Sequence, residues 1–241
     1  DRYIYRPGNY PLSAERAEES AKRLFIPGSE WLYYKLYIHP IRSNELIKNH
    51  ILPCLHKLQL QGLVKKWFFI RYADPGYHLR LIIPKQAGYA IFRLEKVLNS
   101  MAESGIIQSH SLSAYERELE RYTPELITDC ENWFCSSTAL ITAWIASVNT
   151  DDASYDYYAI VPLSVDIMLR AFGYGDTDAA RLFEDLYQGM SAGAENNPGT
   201  KQVQSKYREL KQAVFMNALH TDMNAGALKK PYKLFRQSLY V

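Results

Sequence analysis

Three groups of side chains in this 241-residue chain have the types and spacing for polar chemistry. The first lies in FIRYADPGYHLRL, residues 69–81. Arg71 and Arg80 flank a tight turn, and His78 and Arg80, two apart on a strand, share a face. Two guanidiniums and an imidazole on one hairpin suit bidentate capture of a carboxylate. The structural alternative is a solvated strand face, or Arg71 paired with Asp74, and spacing alone favours it. The second group is YERELERY, 115–122, where Glu118 and Arg121 are three apart and would share a helical face. Glu116, Arg117 and Glu120 make an exposed, salt-bridged turn the competing explanation. The third is His220 in NALHTDMN, near the end of a helix whose stripe is Val203, Tyr207, Leu210 and Val214. A histidine there serves equally well as a partner for the helix dipole.

Little else in the chain has catalytic form. There is no GxGxxG, P-loop, GxSxG or HExxH pattern, so no cofactor and no metal site is expected. Cys54, Cys130 and Cys135 are an odd number without a CxxC pair. That argues against a disulfide framework or a structural zinc site and favours a cytoplasmic, reducing compartment. The net charge of +2 is too even for a nucleic-acid surface. The longest apolar stretch, Ala139 to Val148, is too short for a membrane span, and the opening Asp-Arg-Tyr carries no leader pattern. With 19 Tyr and 4 Trp, the rings either pack a core or line a peptide groove.

The elements that must position these groups follow from periodicity. Residues 1–26, polar and broken by proline, are expected to form an arm or linker. WLYYKLYI has strand period, with Leu32, Tyr34, Leu36 and Ile38 on one face. Asn44 should cap a helix to Leu60 that Pro53 kinks or splits, and Gly62 should end it. Strands over 64–72 and 78–83 make a hairpin around Ala73–Gly76. A helix over 85–104, closed by Gly105, precedes a polar strand over 106–114, expected near a sheet edge. The order β-α-β-β-α-β predicts an α+β fold, a ferredoxin-like antiparallel sheet (27–122), followed by a helical layer (123–241). Pro124 should start a helix to 148, with others over 158–173, 176–190, 201–220 and 227–238, and 191–200 should be a loop.

PGSEWLYYKLY (27–37), WFFIRYADPGYHLRL (67–81), YERELERY (115–122) and LHTDMN (219–224) together resemble the C-terminal glutamate-elimination domain of lantibiotic dehydratases, also found in thiopeptide-type bacteriocin biosynthesis proteins. The resemblance covers about residues 24–240. It implies a lyase that expels glutamate from glutamylated Ser or Thr of a precursor peptide, leaving dehydroalanine or dehydrobutyrine. A separate glutamyl-tRNA-dependent glutamylation domain or subunit would load the peptide. No cofactor and no direct nucleic-acid or membrane contact would be needed, and a homodimer is left open.

The resemblance also assigns roles. His220 would transfer the proton, Arg80 and Arg121 would hold the departing glutamate, and Glu118 would orient an arginine or meet the ammonium. Arg71, His78, Tyr122 and Asn224 would be substrate-binding. Two positions depart from the family pattern. Ile82 stands where many members carry a second arginine in HLRLR, and Ala225 stands where many carry arginine after the asparagine. Two other functions stay open: a stand-alone pyridine synthase performing a [4+2] cycloaddition of two dehydroalanines, and a non-catalytic scaffold that holds the peptide on its aromatic strands.

Overall fold

A computed structural model describes residues 22–84, 88–147 and 164–191. Its centre is a four-stranded antiparallel sheet in the order β3-β4-β2-β5, built from β2 (Trp31–Tyr37), β3 (Phe68–Tyr72), β4 (His78–Pro84) and β5 (Ser109–Ser113). The polar strand β5 lies at an edge, where its serines can meet water. β3 and β4 form the expected hairpin, whose turn contains a cis Asp74–Pro75 peptide. Register decides which side chains share a face. Leu32, Tyr34 and Leu36 of β2 lie opposite Ile83, Leu81 and Leu79 of β4, and all six are buried. Tyr33 and Lys35 lie opposite Ile82 and Arg80 on the other face.

The first face is covered by helices. A 3-10 turn (Pro40–Arg42) leads into α1 (Ser43–Leu46), a π-helical stretch (Ile47–Ile51) and α2 (Leu52–Leu60). Their buried stripe is Leu46, Ile47, Ile51, Leu55 and Leu58. Pro53 thus does not split the helix. Lacking an N–H, it cannot complete an ordinary i→i−4 bond, and the wider π turn just before it absorbs that defect. Asn44 is not the cap; it lies within α1, and its side-chain oxygen accepts from Arg71 Nη2. α3 (Gly88–Glu103) buries Leu94, Leu98 and Met101 at helical spacing and ends before Gly105, whose φ of +70° favours glycine.

The second face is covered as well. Phe25, Trp31, Tyr33, Phe68 and Ile82 form a buried cluster against which Tyr115, Phe134 and Cys135 pack. Phe25 belongs to β1 (Leu24–Phe25), which pairs with β6 (Tyr115–Glu116). Residues 24–25 therefore leave the expected arm and join the core, because Phe25 packs against the touching rings of Trp31 and Tyr115. YERELERY likewise begins as a strand. α4 (Leu119–Ser147) is interrupted at Thr123 and resumes at Pro124 as expected. Compact units divide at Thr138/Ala139, and the part of α4 in the first unit packs on the sheet through Phe134 and Glu131.

The described part of the second unit holds the end of α4, α5 (164–171) and α6 (Asp176–Ser191). Gly173, with φ +80°, ends α5, and the Tyr174 N–H reaches back to the Leu169 carbonyl at 2.9 Å. The helices expected over 201–220 and 227–238 lie outside the described residues, as does the loop expected over 191–200 except for Ser191, which ends α6. Among the described residues no helix is long and apolar enough to cross a membrane.

Candidate active site

A cavity of about 640 Å³ opens on the second face of the sheet, within the first unit. Strands supply Tyr33, Phe68, Ile70 and Arg80, and the segment after β6 supplies Glu118 and Tyr122. Alternation along β4 aims Arg80 at this side while its neighbours Leu79 and Leu81 go to the helical core.

Arg80 is held on two sides. Its guanidinium carbon lies 3.4 Å from the centroid of the Tyr72 ring, one step away on the neighbouring strand. Its Nε donates to His78 Nε2 at 3.2 Å. Guanidinium has no acceptor, so that imidazole nitrogen must carry the lone pair. The proton then sits on Nδ1, which donates to the Gly76 carbonyl at 2.8 Å. His78 is fully buried and flanked by the rings of Tyr37 and Tyr72.

Glu118 and Arg121 pair at 3.0 Å, both well exposed. Hydrogen bonding to Tyr122 and the charge of Glu118 raise the Arg121 pKa further, so this side chain stays a cation. The pair is aimed by the chain on either side of it. Thr123 has φ 56° and ψ 154°, a conformation a β-branched residue rarely holds. Pro124 disfavours the helical region for the residue before it, which contributes to the break. On the other side, Arg117 is 1% exposed and makes a fork-like pair with Glu131, both bonds 2.7 Å. Tyr115 donates to the same carboxylate at 3.0 Å, and the Arg117 guanidinium lies 4.8 Å from the Phe25 ring centroid. Burial, then Glu131, pushes the Tyr115 pKa up, so its hydroxyl remains a donor.

The sheet thus brings Arg80, Glu118 and Tyr122 to one cavity, with Arg121 paired to Glu118 beside it. It separates Arg71 from them. Arg71 lies opposite Leu79 on the helical face, bonded to Asn44, so the two hairpin arginines point to opposite sides. His78 has both ring nitrogens engaged inside the protein and lies behind Arg80. His220 and Asn224 lie outside the described residues. Sequence reasoning missed Arg117, Glu131 and Tyr115 as a buried anchor, because a helical reading of 115–122 made Arg117 one more surface charge. It also missed Trp133, which lines the cavity and whose buried indole N–H has no partner among the described residues. The three cysteines are free, and among the described residues no three His, Cys, Asp or Glu side chains gather as metal ligands would.

Fold and site define an α+β protein with an arginine- and carboxylate-bearing cavity on one sheet face. The family model for the lantibiotic biosynthesis dehydratase C-terminal domain matches residues 31–239, and the chain belongs to that family. It is 34% identical to the subtilin biosynthesis protein SpaB of Bacillus subtilis over 51% of its length, and 28% identical to the nisin biosynthesis protein NisB of Lactococcus lactis subsp. lactis over 73%. It spans only 12% and 17% of those two relatives. Two solved structures share the fold. The tRNA-dependent lantibiotic dehydratase MibB from Microbispora sp. 107891 aligns at TM-score 0.59 and 18% identity, over 89% of this chain and 23% of that one. TsrL aligns at 0.57 and 17%, over 87% and 65%.

Proposed function

We propose that this chain eliminates glutamate from glutamylated Ser or Thr residues of a ribosomal precursor peptide. The observation that carries the reading is the convergence of Arg80, Glu118 and Tyr122 on one cavity, with Arg121 beside it. In the reaction a base takes the Cα proton and its electrons form the C=C bond. The Cβ–O bond breaks, and glutamate leaves as its carboxylate. The Arg80 and Arg121 guanidiniums suit the charge that develops on the leaving group, and the Glu118 carboxylate suits the ammonium. Among the described residues no histidine lines the cavity. The proton-transfer role therefore stays with His220, on the strength of the family motif. The reaction needs a glutamylating partner upstream and no metal or organic cofactor. The strand order, with helices after the first and third strands of the sheet, supports a ferredoxin-like reading of its topology.

One observation favours a second reading. Ile82, where many relatives carry arginine, is 1% exposed and sealed among Phe68, Tyr33 and Trp31. That side of the cavity lacks a third guanidinium, as suits a diverged member that joins two dehydroalanines in a [4+2] cycloaddition. Mass spectrometry separates the two, using pre-glutamylated peptide on one hand and peptide already dehydrated on the other. Elimination predicts free glutamate and loss of that mass from the peptide, abolished in His220→Ala and Arg121→Ala. Undiminished dehydration in both variants defeats the residue assignment. Release of a leader-peptide amide from the dehydrated substrate, with no glutamate from the other, establishes the cycloaddition.

A further inference from the structure

We propose that His78 is a positioning residue which fixes the Arg80 guanidinium in the orientation that meets an acidic ligand. The inference rests on the reading above only for the identity of that ligand. Arg80 has three faces to control. Its Nε is occupied by His78 Nε2, and its plane is stacked on Tyr72. Tyr33, on the neighbouring strand across the cavity wall, has its ring centroid 5.9 Å from the guanidinium carbon. Among the described residues the two Nη groups make no hydrogen bond, and this edge has the geometry to take a carboxylate end-on.

His78 holds this arrangement because it cannot itself move. Its Nδ1–H is tied to the Gly76 carbonyl in the hairpin turn, its ring is wedged between Tyr37 and Tyr72, and none of it reaches solvent. The hairpin turn is thereby wired to the cavity: Gly76 carbonyl, His78 imidazole, Arg80 guanidinium, ligand. A long arginine left unsupported would sample many rotamers, and ordering it on binding would weaken the grip. Lysine at 80 could not use the device, since it has no Nε–H beside a planar fork.

The test combines two readouts on the full chain. With ¹⁵N-labelled histidine and arginine, NMR should find His78 as the Nδ1–H tautomer and the Arg80 Nε–H protected from exchange. His78→Phe, which keeps a ring but removes the acceptor, should expose that Nε–H. His78→Gln, whose side-chain carbonyl can accept, should restore protection. In glutamate release from pre-glutamylated peptide, His78→Phe should raise KM about tenfold with kcat little changed, as expected for loss of one charged hydrogen bond. His78→Gln should recover most of that loss. Adding His78→Phe to Arg80→Ala should cost nothing further. An Nε2–H tautomer, an unchanged KM, or additive losses in the double variant would overturn the proposal. If the wild-type chain releases no glutamate, the functional reading fails while the NMR arm still judges His78. Should His78→Phe not fold, the wild-type tautomer and His78→Gln decide the matter.

Discussion

At the scale of single residues, the consequential feature is a charge pair in the core. Arg117 and Glu131 are 1% and 2% exposed, so neither is screened by water. Removing one partner strands the other in a low dielectric, at a cost of about 3–5 kcal/mol. Arg117→Met is therefore expected to lower the urea midpoint sharply. Arg117→Met with Glu131→Leu should recover most of the loss, since two apolar side chains leave no orphan charge. A single variant as stable as wild type would show that the pair is not the anchor of the segment bearing Glu118 and Arg121. By contrast, the Glu118–Arg121 pair is exposed on both sides and contributes little to stability. That contrast between adjacent residues follows from the extended backbone at Tyr115–Glu116, which turns Arg117 inward and leaves Glu118 facing the cavity.

At the scale of elements, the break in α4 is a strained joint. A β-branched residue at φ 56° and ψ 154° costs about 1–3 kcal/mol. Glycine accepts that conformation freely, while adding about 0.5–1 kcal/mol of freedom to the unfolded chain. Thr123→Gly relieves that strain but gives up the Thr123 side-chain hydrogen bond to Glu125, so it should raise the unfolding midpoint by less than about 1 kcal/mol of stability. A lower midpoint would mean that Thr123 makes contacts worth more than the strain. The residues on each side of this joint are Tyr122, which lines the cavity, and Pro124, which starts the long helix. On the proposed reaction, glutamate release should slow in Thr123→Gly even as stability rises, because a looser joint no longer aims Arg121. The hairpin is the other element that serves the site. Its register sends Arg80 to the cavity and Arg71 to Asn44, so Arg71→Ala is expected to affect stability more than glutamate release.

At the scale of the whole molecule, buried ionisable groups set the response to alkali. Burial pushes the Cys135 thiol from 9.0 up to about 12, and Tyr115 is also raised above its ordinary 10.0. In the folded protein both groups keep their protons where the unfolded chain loses them. The unfolded state then binds fewer protons, and stability falls as pH rises. Stability should be fully present below about pH 9 and decline toward pH 12, by about 1.4 kcal/mol per pH unit for Cys135, with Tyr115 adding to the loss above about pH 10. Urea midpoints across that range provide the measurement, and a flat profile would refute the burial of these groups. A thiol titrating at about 12 is only about one part in ten thousand thiolate at pH 8, so Cys135 should resist iodoacetamide until the protein is unfolded.

Much of this was legible in the residues. Alternation in WLYYKLYI, turn chemistry in ADPG, glycines after α2 and α3 and a proline at a helix start are local rules, and they located β2, the β3–β4 hairpin, α2, α3 and the main run of α4. Family motifs pointed to Arg80, Glu118 and Arg121. Three features were decided by tertiary structure. Strand pairing set which face each hairpin arginine takes, since a period of two places residues 71 and 80 on opposite sides once the register is known. Burial turned Arg117 and His78 from surface charge and ligand contact into an anchor and a support, because solvent access depends on what packs above a segment. Pairing between Phe25 and Tyr115, distant along the chain, drew residues 24–25 into the core. Local sequence governs backbone preference; only three-dimensional packing governs which neighbour a side chain meets and whether water reaches it.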